Sequence, residues 1–72
     1  MAKFIGKGLL QQFSQEISLA APTTVQNLPD LLKLPEEYAN ILIVVRDHKK
    51  LEPDELIHNG DEIYIFLAVM GG

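Results

Sequence analysis

Apolar and polar residues alternate along much of the chain, and each change in their period marks a new element. Lys3 to Lys7 alternates with period two, which predicts a short strand with Phe4 and Gly6 inward and Lys3, Ile5 and Lys7 outward. The opposite phase would bury two lysines. GLLQQF (residues 8–13) breaks that period. Leu10 and Phe13 are three apart and share the face of a helical turn. Glu16 to Ala20 alternates again, with Ile17 and Leu19 inward. In AAPTTVQNLPDLLKLP, Leu28, Leu31 and Leu32 fall at i, i+3 and i+4. Thr24 or Asn27 can cap a helix there, because either side-chain oxygen accepts from an orphan N–H. Pro29 fits only a first turn, so the helix is expected to start near Asn27, run about two turns and close at Pro35.

NILIVVRDHKKL is the strongest strand signal. Its phase is read with Ile41, Ile43 and Val45 inward and Leu42, Val44 and Arg46 outward. Asp47 and His48 suit a tight turn, EPDELI reads as one helical turn, and Asn59-Gly60 as a left-handed turn. EIYIFLAVM closes the chain as a strand with Ile63, Ile65 and Leu67 inward and Tyr64, Phe66 and Ala68 outward. The expected core is Phe4, Ile17, Leu19, Leu28, Leu31, Leu32, Ile41, Ile43, Val45, Ile63, Ile65 and Leu67. One short helix covers only one face of such a sheet. The other face would carry Leu42, Val44, Tyr64 and Phe66, an apolar set that reads as a contact surface. Ordinary strand propensity would place the same residue types there, so both readings stay open at this point.

Composition narrows the classes. Seventy-two residues make one small domain. There is no cysteine, and His48 and His58 lie far from a zinc-site spacing, so no metal site is expected. An apolar fraction of 47% supplies a core instead. Six basic residues face ten acidic ones, a net charge of −4. That balance suits neither nucleic acid nor anionic lipid. It leads to the expectation that a partner's docking face is basic and that association slows as salt rises. The longest apolar run, Ile63 to Met70, is too short to span a membrane. MAKFIGKGLL lacks the long apolar core of a signal peptide, and a cytoplasmic location is expected.

The residues offer little catalytic chemistry. The acidic pairs Glu36-Glu37, Asp54-Glu55 and Asp61-Glu62 fall in loops or turns, where solvated surface is the simplest reading. KGLLQQ has too few glycines for a phosphate loop. His48 reads as a turn residue. The ending AVMGG is left. A carboxylate is a poor electrophile until it is activated, typically as a mixed anhydride with a nucleotide. If another enzyme activates it, the tail must thread into that enzyme's active site. Gly71 and Gly72 present no Cβ near the reacting carbon and let the backbone take whatever path a channel imposes. Ala68, Val69 and Met70 would lie extended in that channel. A flexible tail over 69–72 is expected.

LIHNGDEIYIFLAVMGG (residues 56–72) resembles the closing pattern of the ubiquitin-like β-grasp sulfur carriers. These include the small subunit of molybdopterin synthase and the carrier that supplies sulfur for the thiamine thiazole. KFIGKGLLQQF is similar to the opening strand and helical turn of the molybdopterin-synthase type, and PTTVQNLPDLL to the turn and helix start found through the family. The resemblance implies an α+β fold, a mixed sheet of four or five strands packed on one short helix, with the first and last strands parallel neighbours. It implies a protein co-substrate rather than an enzyme. In the family an activating enzyme, related to those of ubiquitin pathways, uses ATP to adenylate the terminal carboxylate, which then becomes a sulfur-donating thiocarboxylate. Gly72 would carry the sulfur and Gly71 give access to it. Leu42, Val44, Tyr64, Phe66, Ala68, Val69 and Met70 would meet the activating enzyme and a sulfur acceptor such as the molybdopterin synthase large subunit or thiazole synthase. The turn at Leu9 to Phe13 favours the molybdopterin type. Pro29 in the helix and the bulk of Met70 depart from the family pattern. A ubiquitin-like protein modifier and an interaction module with an inert tail remain as alternatives.

Overall fold

The computed structural model describes residues 1–68; Val69, Met70, Gly71 and Gly72 lie outside the described residues. The chain begins with β1 (Ala2–Gly6), a 3₁₀ helix (Gly8–Phe13) and β2 (Gln15–Ile17). A small strand, β3 (Thr23–Thr24), leads through a 3₁₀ turn (Val25–Asn27) into α1 (Leu28–Leu31) and then α2 (Glu36–Ala39). β4 (Leu42–Arg46), β5 (Lys49–Lys50), β6 (Leu56–Ile57) and β7 (Glu62–Leu67) follow. Five strands form a mixed sheet in the order β2-β1-β7-β4-β5, while β3 and β6 pair separately. β1 and β7 are parallel neighbours at the centre, as expected. With short helices packed across one face, this is the ubiquitin-like β-grasp.

The alternation of β1 holds. Ala2, Phe4 and Gly6 are buried, with Lys3 and Lys7 exposed. Leu10 is carried by the 3₁₀ helix into the core, and Phe13 packs against it. The helix is shorter than expected and ends differently. Pro29 does sit in the first turn of α1. The stop, however, comes at Lys33, which takes a left-handed φ of 57°. Lys33 N–H donates to the Asp30 carbonyl at 3.2 Å and Leu34 N–H to the Pro29 carbonyl at 2.9 Å. This is the paired bonding of a Schellman motif. Pro35 therefore does not close the helix; it is the N-cap of α2, a turn the apolar pattern did not reveal. Asp47 and His48 both adopt positive φ, 54° and 66°, as the two-residue hairpin between β4 and β5 requires. EPDELI is not helical: Pro53-Asp54 is a turn, and Leu56–Ile57 is strand β6.

β4 has the opposite phase to the one expected. Register pairs Leu42 with Leu67 and Val44 with Ile65, on the core side, and Ile43 with Phe66 and Val45 with Tyr64 on the other. Val44 is 2% exposed, and Leu42 packs against the core. Ile41 is 39% exposed. Ile43 and Val45 are only half-buried. Leu42 and Val44 are thus not on the open face, and Ile41, Ile43 and Val45 are not core. Arg46 shares the core side with Val44, at the end of the strand. Its Nη1 donates to Asp61 Oδ2 at 2.9 Å and to the Leu56 carbonyl at 2.8 Å, so the guanidinium caps the core. The remaining expected core residues are buried or packed against the core. Ala2, Leu10, Val25, Leu34, Leu51 and Ile57 join them.

Candidate functional site

β7 lies in the middle of the sheet and is the last strand among the described residues. It is paired on both sides, to β1 and to β4, so its direction is fixed through Leu67. Ala68 N–H donates to the Ile41 carbonyl at 2.8 Å. That bond is the last recorded before residues 69–72. The candidate reactive residues Gly71 and Gly72, and the proposed channel residues Val69 and Met70, lie outside the described residues.

Around β7 the open face is built from cross-strand neighbours. Tyr64 lies between Ile5 on β1 and Val45 on β4, and Phe66 lies beside Ile43. All five are half-buried, covering one another rather than being covered by a helix. Tyr64 and Phe66 were placed on this face from the sequence, as was the exposed Ala68. Leu42 and Val44 were placed there too and belong on the opposite side; Ile43 and Val45 take their positions. The missing signal was the phase of β4, which is apolar on both faces and gives no internal mark of which side is which.

Charges frame the apolar strip. Lys3 lies directly opposite Glu62 in the β1–β7 register. Lys7 Nζ sits 5.4 Å from the centroid of the Tyr64 ring, within cation–π range. The Tyr64 hydroxyl donates to Glu62 Oε1 at 3.1 Å. That hydrogen bond favours the neutral phenol, and the nearby carboxylate charge and slight desolvation act in the same direction. The Tyr64 pKa is therefore raised above its ordinary value. At the far end of the strip, Leu9 on the 3₁₀ helix is 64% exposed. Lys7, Gly8, Leu9, Phe66 and Leu67 line a shallow hollow of about 300 Å³ next to the end of β7. Sequence periodicity gave Leu9 no role, because a six-residue 3₁₀ turn leaves its outward residue unassigned.

The acidic pairs do not converge. Asp61 is committed to Arg46 and to the His58 backbone N–H at 2.8 Å, and Glu62 to Tyr64. Glu36, Glu37 and Asp54 are exposed and apart from them. Among the described residues there is no grouping of His, Cys, Asp and Glu that could hold a metal ion. No helix among them is long and apolar enough to cross a membrane. What the described surface offers is recognition: a half-buried apolar strip that leads to the end of a central strand.

Comparison with curated proteins finds no significant match. The profile of the ThiS family matches residues 7–72, all but the first six residues, from the 3₁₀ helix through the open-face strands to the terminal glycines. The chain therefore belongs to the ThiS family, whose members serve as sulfur carriers rather than as catalysts.

Proposed function

We propose that the chain carries sulfur on the terminal carboxyl of Gly72. A carboxylate oxygen of Gly72 attacks the α-phosphate of ATP in an activating enzyme, and pyrophosphate leaves. A sulfide equivalent then attacks the carbonyl of the adenylate, and AMP leaves a thiocarboxylate. The observation that supports this most is the continuity of β7 with the family match: a doubly paired central strand runs beside an apolar face as far as Leu67, and the match continues through the residues that follow it in the sequence to Gly72. Tyr64, Phe66 and Ala68, with Ile5, Ile43 and Val45, would dock the activating enzyme and then the acceptor. We favour a molybdopterin-type acceptor over a thiazole synthase. The support is the likeness of the Gly8–Phe13 helical turn to the opening of the molybdopterin-synthase type.

The test is intact mass after incubation with extract of the source cell, ATP and a sulfur donor. The expected product has one oxygen replaced by sulfur. Deleting Gly72, or adding one residue after it, should abolish that product, since the carbon is displaced by about 3.5 Å from the waiting nucleotide. Phe66→Ala should weaken binding to the activating enzyme by at least about 1 kcal/mol while leaving the fold intact. A C-terminally extended chain that takes up sulfur untrimmed would overturn the proposal. Adducts to lysines of other proteins would mark a modifier instead.

A further inference from the structure

We propose that the helical side of the sheet carries a second docking site, a groove for a basic, partly apolar segment of a partner protein. Two four-residue helices cannot cover the whole core face. The gap they leave lies over the start of β4. Its floor is Val25, Leu42 and Val44, and its walls are Pro29, Ala39 and Pro53. The groove holds about 300 Å³, at the small end of ligand pockets, and it is open to solvent. A single aliphatic side chain held out from a partner's backbone suits this shape better than an enclosed small molecule. The far wall is tied to the near one, because Gln26 N–H donates to the Pro53 carbonyl at 3.0 Å and Val25 N–H to the Glu55 carbonyl at 3.0 Å. The groove is thus a fixed feature of the fold.

Charge specifies the occupant. The two stretches that build the walls, residues 26–40 and 51–56, hold Asp30, Glu36, Glu37, Glu52, Asp54 and Glu55 against the single base Lys33. Asp30 follows Pro29, Glu36 lies one turn before Asn40 on α2, and Glu52 and Asp54 flank Pro53. These four carboxylates are exposed, and the ion pairs among the described residues involve none of them. An apolar side chain flanked by lysine or arginine would fill the floor and meet the rim. The site faces away from Tyr64 and Phe66. Its occupant can therefore stay bound while the open face engages another protein.

The experiment uses the full 72-residue chain, labelled with ¹⁵N, and two synthetic peptides of equal length. One alternates leucine with lysine and the other leucine with glutamate. The lysine peptide should shift the amides of Val25, Ala39, Asn40, Leu42 and Val44 saturably, and leave those of Tyr64 and Phe66 in place. Asp30→Lys with Asp54→Lys should weaken it by at least about tenfold, with the thermal midpoint unchanged. Ala39→Arg, which fills the groove from its wall, should abolish binding. Equal binding of the glutamate peptide, shifts centred on Tyr64 and Phe66, absence of saturation, or an unaffected double variant would each overturn the proposal. None of these readouts involves Gly72, so the outcome is independent of whether the chain carries sulfur there.

Discussion

Gly6 shows how far one residue can be constrained in a domain this small. It is buried at the end of β1, where the 3₁₀ helix turns back over the strand, and an added Cβ would overlap the Leu10 carbonyl. Its N–H donates to Ser14 Oγ at 2.8 Å. The obstruction is backbone, so no rotamer can relieve it. Gly6→Ala should cost about 1–3 kcal/mol or more, measured by urea denaturation, which is a large share of the stability of so short a chain. Tyr64 offers a test of the open face. Its hydroxyl donates to Glu62, and this holds its pKa up. A group whose folded pKa is raised contributes stability below its unfolded value, about 10, and loses it as pH rises through the folded value. Glu62→Gln should therefore bring the Tyr64 titration, followed by ultraviolet absorbance, back down towards that ordinary value. An unchanged titration would mean that the carboxylate does not hold the phenol.

Among the elements, β4 and α1 owe their form to contacts that their own residues do not mark. Both faces of LIVV are apolar, so periodicity alone leaves its phase open. Pairing with β7 sets it by placing Val44 opposite Ile65 and Ile43 opposite Phe66. Truncation should separate the two faces. Ile65→Ala should cost about 2–5 kcal/mol, because it opens a cavity in the core. Ile43→Ala, on the half-buried open face, should cost no more than about 1 kcal/mol. Equal losses in thermal denaturation would contradict the register. In α1, an L-residue in the left-handed region costs about 1–2 kcal/mol. Lys33 carries that strain to turn the chain, where glycine would have announced the stop in the sequence. Asn59 does similar connecting work between loops: its side chain bonds both the N–H and the carbonyl of Leu19, at 2.8 and 2.7 Å.

Over the whole molecule the charges are segregated. The open face holds Lys3, Lys7 and Lys50 against Glu16 and Glu62, as the strand registers place them. Most of the remaining carboxylates sit on the helices and the loop before β6. The net charge of −4 is therefore not a property of the docking face, and it gives no reason for a partner's surface there to be basic. Association through Tyr64 and Phe66 should change in rate by less than about threefold between low and moderate salt, since nearly balanced charges steer weakly. A steep fall in stopped-flow on-rates with salt would return the long-range acidic field to importance.

The sequence by itself determined an order of strands around a helical segment, and the resemblance of its closing pattern to the sulfur carriers implied the β-grasp. Alternation in β1 and the helical spacing of Leu28, Leu31 and Leu32 were legible because polar residues mark the opposite face of each. It also determined that Tyr64 and Phe66 share the outward face of β7. The tertiary structure alone decided the phase of β4, the stop at Lys33 and the strand at Leu56–Ile57. It alone showed that Arg46 caps the core and that the carboxylates gather on the side away from the open face. These features depend on contacts between residues far apart in the chain, where local periodicity carries no information: a strand apolar on both sides takes its orientation from its neighbour.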